Sequence, residues 1–251
     1  MKVVTYLEIL TKERNTAFKN GLYDYIAVSM SYNTNKIEGS TLTFSDTKSL
    51  YEKDIVFTGG HKTDDVIEGR NHFKLLEFML ETIEEPLSER LIKEYHQLLK
   101  SGTSDVEKYG IGQYKVFPNI VGDTPVAEPH EVPEKMQRLI NSYQNLTDVI
   151  LEDILSFHYH FETIHPFQDG NGRVGRVMML RECLRHNVTP FIISAERREE
   201  YIQGLKNFPQ DPSLLQKEAV LQQEVFEKMA APFLKYYRNE TLKKHDSERD
   251  L

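Results

Sequence analysis

The residues best suited to chemistry lie between His165 and Arg176, in the stretch HPFQDGNGRVGR. Gly170 and Gly172 allow backbone conformations that other residues avoid, and Asn171 tolerates them, so successive N–H groups can turn inward around an anion. After Gly172 the apolar residues recur at helical spacing, which places this loop at a helix N-terminus, where free N–H groups and the helix dipole also attract anions. The pattern therefore predicts a phosphate-binding loop.

The charged side chains of the same stretch indicate what is done to the phosphate. Arg173 and Arg176 are three residues apart, so both are expected to point near the same anion. Asp169 makes most sense as a ligand for Mg²⁺, which proteins hold with one or two carboxylates together with the substrate's phosphates. His165 supplies a base that titrates near neutral pH. Together these groups indicate phosphoryl or nucleotidyl transfer.

The stretch resembles the signature of the Fic domain, H-x-F-x-[DE]-G-N-G-R-x-x-R. Every fixed position of that signature is matched, by His165, Phe167, Asp169, Gly170, Asn171, Gly172, Arg173 and Arg176. The resemblance implies an all-α, Fic-like helical bundle with a small β-hairpin flap. It also implies ATP as substrate and Mg²⁺ as cofactor, with His165 catalytic, Asp169 on the metal and the remaining matched residues on the nucleotide.

The resemblance further implies a reaction. His165 would remove the proton from a Ser, Thr or Tyr hydroxyl of a target protein, which then attacks the α-phosphate of ATP and expels pyrophosphate. The loop Gly170–Gly172 with Arg173 would hold the α- and β-phosphates, and Arg176 the γ-phosphate. The phosphate-transferring branch of the family lacks the glycine and arginine found here at Gly172 and Arg173, so AMP transfer is implied. Self-modification and homo-oligomer formation stay open.

A second stretch, TNKIEG, stands far upstream. It matches the inhibitory motif [ST]-x-x-x-E-[GN] of resembling proteins at Thr34, Glu38 and Gly39. A carboxylate can occupy the guanidinium fork that would otherwise hold a phosphate, so Glu38 is predicted to compete with the γ-phosphate for Arg176. The alternative is an ordinary solvated glutamate near a helix end. Two alternative functions stay open. The protein is either an enzyme that removes AMP with the help of Glu38 or a catalytically silent nucleotide-binding module.

The elements that must position these residues read as helices joined by short loops. Helices are predicted over 4–19, 23–37, 45–53, 63–82 (capped by Thr63), from Leu91 toward Gly102, 133–145, 148–164, after Gly172, 196–206 and 213–238. His165 should end the helix before the loop in an extended conformation, because Pro166 restricts the residue that precedes it.

Residues 101–133 are rich in glycine and proline and break the helical pattern. Strands are predicted at 114–117 and 124–127, around a Gly122-Asp123 turn. In Fic proteins a flap stands at this place and aligns the segment that carries the target hydroxyl; the alternative here is a surface excursion. The predicted organisation is an N-terminal helical extension over 1–60 with an inhibitory helix at about 23–39, a Fic domain over 61–240 with the flap at about 112–128, and a frayed polar tail over 241–251.

Composition narrows the class of protein. The 251 residues carry a formal charge of −8, which argues against a general nucleic-acid or membrane-surface binder. Cys183 is the single cysteine, cannot form an internal disulfide and is expected to be a buried thiol. The N-terminal segment MKVVTYLEIL is interrupted by Glu8 and lacks a cleavage site, and no apolar run reaches membrane-spanning length, so a cytoplasmic protein without a signal peptide is expected.

Three other patterns in the sequence could indicate a dinucleotide site, a zinc site or an adenine site. Gly170, Gly172 and Gly175 also spell G-x-G-x-x-G, but a dinucleotide-binding fingerprint must follow a strand, and the preceding stretch is helical. The histidines at 158, 160 and 165 do not share one helix face, and no cysteine or carboxylate completes a zinc site, so packed or partly exposed histidines are favoured. Tyr201 and Leu205 lie one turn apart and either pack in the core or, as the resemblance implies, border the adenine.

Overall fold

The structure, a computed structural model, describes residues 4–56, 59–121 and 124–249. In these residues the chain is built from α-helices: α1 Tyr6–Asn15, α2 Leu22–Ile37, α3 Phe44–Lys53, α4 Thr63–Glu81, α5 Glu89–Lys100, α6 Asp105–Lys108, α7 Val132–Gln144, α8 Leu151–Ile164, α9 Asn171–Arg185, α10 Arg198–Asn207 and α11 Ser213–Arg249. The predicted all-α class is confirmed. No helix in this part of the chain combines the length and the apolar composition that a bilayer crossing requires.

The centre of the bundle is α9, the helix that follows the predicted phosphate-binding loop. Val174, Val177 and Leu180 are completely buried, and so are the charged Arg181 and Glu182. A helix that is buried on all sides must be enclosed by others, and α9 packs against α1, α2, α4, α5 and α8. The N-terminus of α9 is therefore held in place by several elements at once.

Most predicted helices are present, with differences at their ends. The first helix ends at Asn15, four residues before the end predicted for the helix over 4–19, and Ala17 and Asn20 adopt positive φ angles that no helix accommodates. At α4 the capping position is Lys62, and Thr63 is the first helical residue. The prediction that Thr63 caps this helix was wrong.

The last helix is longer than predicted. It continues through Arg249, so the frayed polar tail expected over 241–251 is helical as far as the structure describes it. Residues 239–249 contain no glycine or proline and include several strong helix formers, among them lysine, glutamate, leucine and arginine. A polar segment of this composition can extend a helix that has already formed, because propagation costs less than nucleation.

The predicted flap is not supported at its expected size. Only Ile120–Val121 and Thr124–Pro125 pair in the described part of this region, antiparallel and two residues long, and 114–117 is not a strand. The Gly122-Asp123 turn lies outside the described residues. The backbone N–H of Lys115 instead donates to the carbonyl of Pro166 over 2.8 Å. The segment before the short pairing is thus attached to the predicted phosphate-binding loop rather than to a partner strand.

Candidate active site

The loop begins where α8 ends. The helix stops at Ile164, as predicted, and the N–H of His165 donates to the carbonyl of Phe161 over 2.8 Å. His165 is left-handed, with φ 51° and ψ 62°, and not extended as predicted. This conformation also avoids the right-handed helical region that a following proline disfavours, and it turns the chain sharply away from α8.

The side chain of Asn171 closes the loop. Its Oδ1 accepts from the N–H of Phe167 and its Nδ2 donates to the carbonyl of Phe167, both over 2.8 Å. Asn119 donates to the same carbonyl over 3.1 Å. The amide of Asn171 is buried and is bonded to both backbone groups of Phe167, so its side chain shapes the loop and its backbone N–H is the group that a ligand would meet.

The ring of Phe167 lies against His96 from α5. The two rings are parallel, with centroids 4.0 Å apart. Gly112 donates its N–H to Nδ1 of His96 over 2.9 Å, so the other ring nitrogen, Nε2, must carry the hydrogen that it shares with the carbonyl of Asp169 over 3.0 Å. Burial lowers the pKa of His96 to about 4, which keeps the ring neutral. His96 therefore fixes the backbone at Asp169.

The two glycines of the loop serve different purposes. Gly170 has φ 81° and sits directly before α9, where its left-handed backbone turns the chain into the helix. Gly172 is already helical, so the expected need for an unusual backbone there was wrong. A Cβ at Gly172 would lie 2.4 Å from Oε1 of Glu38 and 2.9 Å from Nη1 of Arg176, so a larger residue here would have to displace the carboxylate from the guanidinium. The first N–H groups of α9 point out of its N-terminal end, where the helix itself offers them no acceptor.

The carboxylate of Asp169 lies in a network of charges. Its Oδ2 accepts from Nζ of Lys100 over 2.6 Å and from Nη2 of Arg173 over 2.8 Å. Glu68 of α4 accepts from the same two cations. Burial opposes ionisation of Asp169, but Arg173 and Lys100 outweigh it and hold the pKa well below its usual range. The side chain is 53% exposed, so an ionised carboxylate faces the open side of the loop.

Arg176 is buried and contacts the upstream stretch singled out in the sequence. Its Nη2 donates to Oε1 of Glu38 over 2.6 Å and to the carbonyl of Thr34 over 3.0 Å, and its Nε donates to Oγ1 of Thr34 over 2.6 Å. Gly39, with φ 88°, follows Glu38 at the end of α2. Burial alone would raise the pKa of Glu38, but the guanidinium of Arg176 holds it below its usual range.

The imidazole of His165 is neutral near pH 7. Burial, and then the nearby ammonium of Lys115, lower the pKa of His165 to about 4. Nδ1 is buried without a hydrogen-bond partner, 3.9 Å from Oε2 of Glu162, so Nε2 is the nitrogen that can meet a reacting group. A neutral imidazole with one accessible nitrogen can accept a proton.

Comparison with known proteins places these features in a family. Residues 86–183 match the Fic/DOC family. This chain carries a Fic/DOC-family domain. It is 29% identical over 180 residues to the protein adenylyltransferase fic-1 of Caenorhabditis elegans, covering 69% of this chain and 35% of that protein. It is 31% identical over 150 residues to a probable protein adenylyltransferase of Aquifex aeolicus, covering 56% of this chain and 45% of that one.

The fold of the Fic domain agrees with solved structures. A Fic domain-containing signaling protein from Bacteroides thetaiotaomicron superposes with a TM-score of 0.73 at 22% identity, covering 93% of this chain and 97% of that one. The chain spans between a third and a half of the length of the curated relatives described above. The comparisons therefore show the fold and a Fic/DOC-family domain at residues 86–183.

Two parts of the site come from outside the residues that match the family. Glu38 and Thr34 on α2, and Glu68 on α4, precede residue 86, yet they contact Arg176 and Arg173 of the Fic domain. The predicted inhibitory helix does lie against the Fic motif. Inhibition itself stays a prediction.

The two residues predicted to border the adenine lie in or against the core. Tyr201 is buried, its hydroxyl lies 2.7 Å from Nε2 of His158, and Arg176 lies 5.7 Å from the centre of its ring. Leu205 is partly buried against the core, and the adenine-binding role of both residues stays a prediction.

Among the described residues no group of three histidine, cysteine or acidic side chains could hold a metal ion. Cys183 is completely buried, as predicted.

Proposed function

We propose that this protein is a protein adenylyltransferase that moves AMP from ATP to a Ser, Thr or Tyr hydroxyl of a target protein, and that Glu38 restrains it. The observation that carries the proposal is the loop from His165 to Gly172. It sets a neutral imidazole and an ionised carboxylate, that of Asp169, beside the N-terminus of a buried helix. A base, an anion site and a carboxylate are the groups that nucleotidyl transfer requires.

The reaction follows from the residues of the loop. His165 accepts the proton of the target hydroxyl at Nε2, and the hydroxyl oxygen forms a bond to the α-phosphorus of ATP. The bond between the α- and β-phosphates breaks, pyrophosphate leaves, and AMP remains on the target as a phosphoester. The N–H groups of Asn171 and Gly172 would bind the α- and β-phosphates and stabilise the charge that develops there. The N–H of Gly170 holds Asp169 beside them, and Arg173, bonded to Glu68 and Asp169, adds positive charge at the same place.

The residues fit the predicted metal. Asp169 is ionised and half exposed, and it directly precedes the residues that would hold the phosphates. Bound there, Mg²⁺ would neutralise phosphate charge and polarise the phosphoryl oxygens. Lys100 and Arg173 hold the carboxylate in place and ionised across the working pH range.

Glu38 explains how the activity is restrained. The guanidinium of Arg176 would hold the γ-phosphate, but in this structure it donates to Glu38 and Thr34. Arg176 is 3% exposed and is bonded to Thr34 as well as to Glu38, so a γ-phosphate would have to meet it at the place that Glu38 occupies. ATP can bind productively only after Glu38 has moved, and Glu38 is 38% exposed at the end of α2, which leaves it room to do so.

The target segment would bind beside the Fic motif. The residues from Gly112 to Asn119 are hydrogen-bonded to the loop through His96, Pro166 and Phe167. A target strand laid along this segment would carry its hydroxyl toward His165. Alignment of the target is the role of the flap in Fic proteins, and we assign it to the segment that is hydrogen-bonded to the loop in this chain. The target can also be a second copy of this chain, and the assay described next detects AMP on it.

The test is transfer of label by the Glu38→Gly variant. The variant is incubated with Mg²⁺, a cell lysate and ATP labelled at the α-phosphate, with ATP labelled at the γ-phosphate as the matched control. Label above that of the same lysate without the chain is expected on proteins from the first nucleotide only, at least tenfold above the parent chain, because enzymes of the lysate itself transfer the γ-phosphate. Adding His165→Ala should lower transfer by about 10²–10⁴-fold.

Two outcomes would overturn the proposal. Label from the γ-phosphate would identify phosphate transfer. If Glu38→Gly instead abolished the release of AMP from a pre-modified target, without gaining transfer, the chain would be a hydrolase that depends on Glu38. Labelled peptides from the successful assay would identify the modified residue, including any on this chain itself.

A further inference from the structure

Three buried polar atoms without hydrogen-bond partners meet on one face of α8. They are Nδ1 of His158, Oε1 of Glu162 and Nδ1 of His165. Glu162 lies between the two histidines, one helical turn from each, with its Oε1 3.9 Å from Nδ1 of His158 and its Oε2 3.9 Å from Nδ1 of His165. Buried polar atoms in proteins are nearly always paired, so a cluster of unpaired ones beside the predicted base calls for a reason.

The neighbouring helix leaves room for this carboxyl. Gly175 of α9 faces it, and a Cβ there would lie 2.6 Å from Oε1 of Glu162. The charged and titratable groups that face Glu162 are Arg176 from α9, Glu38 from α2 and Tyr201 from α10, in addition to His158 on its own helix and His165 directly after it. Burial is the main reason that the pKa of Glu162 is raised, to about 8. Glu162 therefore changes its charge close to the working pH.

The charge of Glu162 decides which nitrogen of His165 carries the hydrogen. An ionised carboxylate can only accept, so it favours a hydrogen on Nδ1 and leaves Nε2 free. A protonated carboxyl can donate to Nδ1, which leaves the hydrogen on Nε2, and that nitrogen then cannot accept a proton. Because Nε2 is the accessible nitrogen, only the first state gives a base.

We propose that Glu162 is a positioning residue for His165, accepting a hydrogen bond from Nδ1–H so that Nε2 is free to take the proton of the target hydroxyl. The proposal rests on the function proposed above. The separation of 3.9 Å is too long for a hydrogen bond, but a rotation of the Glu162 side chain can close it, and catalytic hydrogen bonds are often long before substrate binds. Glu162 is not part of the Fic signature, which begins three residues later at His165.

The proposal predicts a pH dependence. The ionised fraction of a carboxyl with a pKa near 8 rises from about a tenth at pH 7 to about nine-tenths at pH 9. In the Glu38→Gly background, kcat for AMP transfer should therefore rise about tenfold as Glu162 ionises. The rise should be complete below pH 9, because the missing charge of Glu38 lowers the pKa of Glu162. Glu162→Gln cannot ionise and should lack this rise, with KM for ATP within twofold of its parent. Glu162→Asp should keep a rise.

A spectroscopic measurement tests the same point without relying on activity. Nitrogen NMR of the full chain, labelled in histidine, reports the tautomer of His165, whose signals are assigned by their loss in His165→Ala. Between pH 6 and pH 9 the hydrogen should move from Nε2 to Nδ1 in the parent chain and show no such movement in Glu162→Gln. Glu152→Gln is the matched control, since Glu152 is exposed on the same helix.

The possible outcomes separate the two proposals. If Glu162→Gln has the same tautomer titration and the same pH profile as its parent, Glu162 does not position His165. If no AMP transfer is found at all, the proposed function fails, and the NMR titration still decides the relation between Glu162 and His165. Thermal unfolding of Glu162→Gln confirms that the variant is folded when these comparisons are made.

Discussion

Replacing Glu38 with glutamine removes the charge opposite Arg176 with almost no change in shape. The structure gives one hydrogen bond of 2.6 Å between the two side chains, with Arg176 buried and Glu38 38% exposed. A hydrogen bond to a charged group contributes about 1.5–3 kcal/mol. The exposure of Glu38 reduces this through solvent screening, and about 1–2 kcal/mol remains. If Glu38 and the γ-phosphate compete for Arg176, the same free energy opposes ATP binding.

The affinity for ATP should therefore rise about five- to thirtyfold in Glu38→Gln, because each 1.4 kcal/mol is a factor of ten. The measurement is calorimetry with ATP and Mg²⁺ in a His165→Ala background, so that no AMP is transferred. AMP serves as the matched ligand, since it lacks the γ-phosphate and its affinity should stay within twofold. Glu52→Gln is the matched variant, because Glu52 is 41% exposed and 3.7 Å from Lys48, in a surface pair.

Two results would refute the reasoning. An ATP affinity in Glu38→Gln within twofold of its parent would mean that Arg176 is not the shared partner. An equal gain for AMP and ATP would mean that Glu38 opposes nucleotides by its general negative charge rather than by its bond to Arg176. In either case the contact between Glu38 and Arg176 would have to be treated as a structural ion pair.

Two further predictions concern stability. Asn171→Ala should lower the free energy of unfolding by about 2–3 kcal/mol, because it leaves the buried N–H of Phe167 unpaired and leaves only Asn119 bonded to its carbonyl. Urea denaturation measures this. Asn207→Ala removes a hydrogen bond at the surface and should change the free energy by less than about 0.5 kcal/mol, and an equal loss in both variants would contradict the closure of the loop by Asn171. Glu162 keeps its proton up to about pH 8 when folded, so stability falls as pH rises from about 5 to 8, by up to roughly 1.4 kcal/mol per pH unit. Melting temperatures should show Glu162→Gln losing less over that interval, and parallel curves for the two chains would refute it.

Local patterns predicted the local structure well. Apolar spacing located the helix that runs from Leu151 to Ile164 and the one that follows Gly170, and the His-Pro pair located the end of the first of them. The upstream stretch with Glu38 was found only through its resemblance to a known inhibitory motif. The sequence by itself contains nothing that brings Glu38 to Arg176, which lies 138 positions away.

The residues that hold the site in place were not predicted. Lys100 is the last residue of an amphipathic helix and reads as solvated, yet it is 3% exposed and bonded to Asp169. His96 and Glu68 lie on other helices, 73 and 105 positions from their partners Asp169 and Arg173. Spacing along the chain reveals which residues share a helix face, but which faces pack together depends on the whole fold.

The hairpin prediction failed for a related reason. The sequence around Lys115 has a strand-like pattern, but its N–H group is bonded to Pro166, in the loop of the Fic motif. Tertiary bonding thus took the place of strand pairing, and β propensity depends strongly on such surroundings.

The contacts of Glu68 and Thr34 have a consequence for dissecting the protein. A fragment limited to residues 86–183 would retain Arg173 and Arg176 but lose the acceptors that α2 and α4 provide for them. Two guanidinium groups that are now enclosed would have to return to water, and removing one partner of a buried ion pair commonly costs about 3–5 kcal/mol. A fragment of residues 86–183 is therefore expected to be less stable than the same residues in the full chain, since the helices that precede it enclose the arginines of the loop.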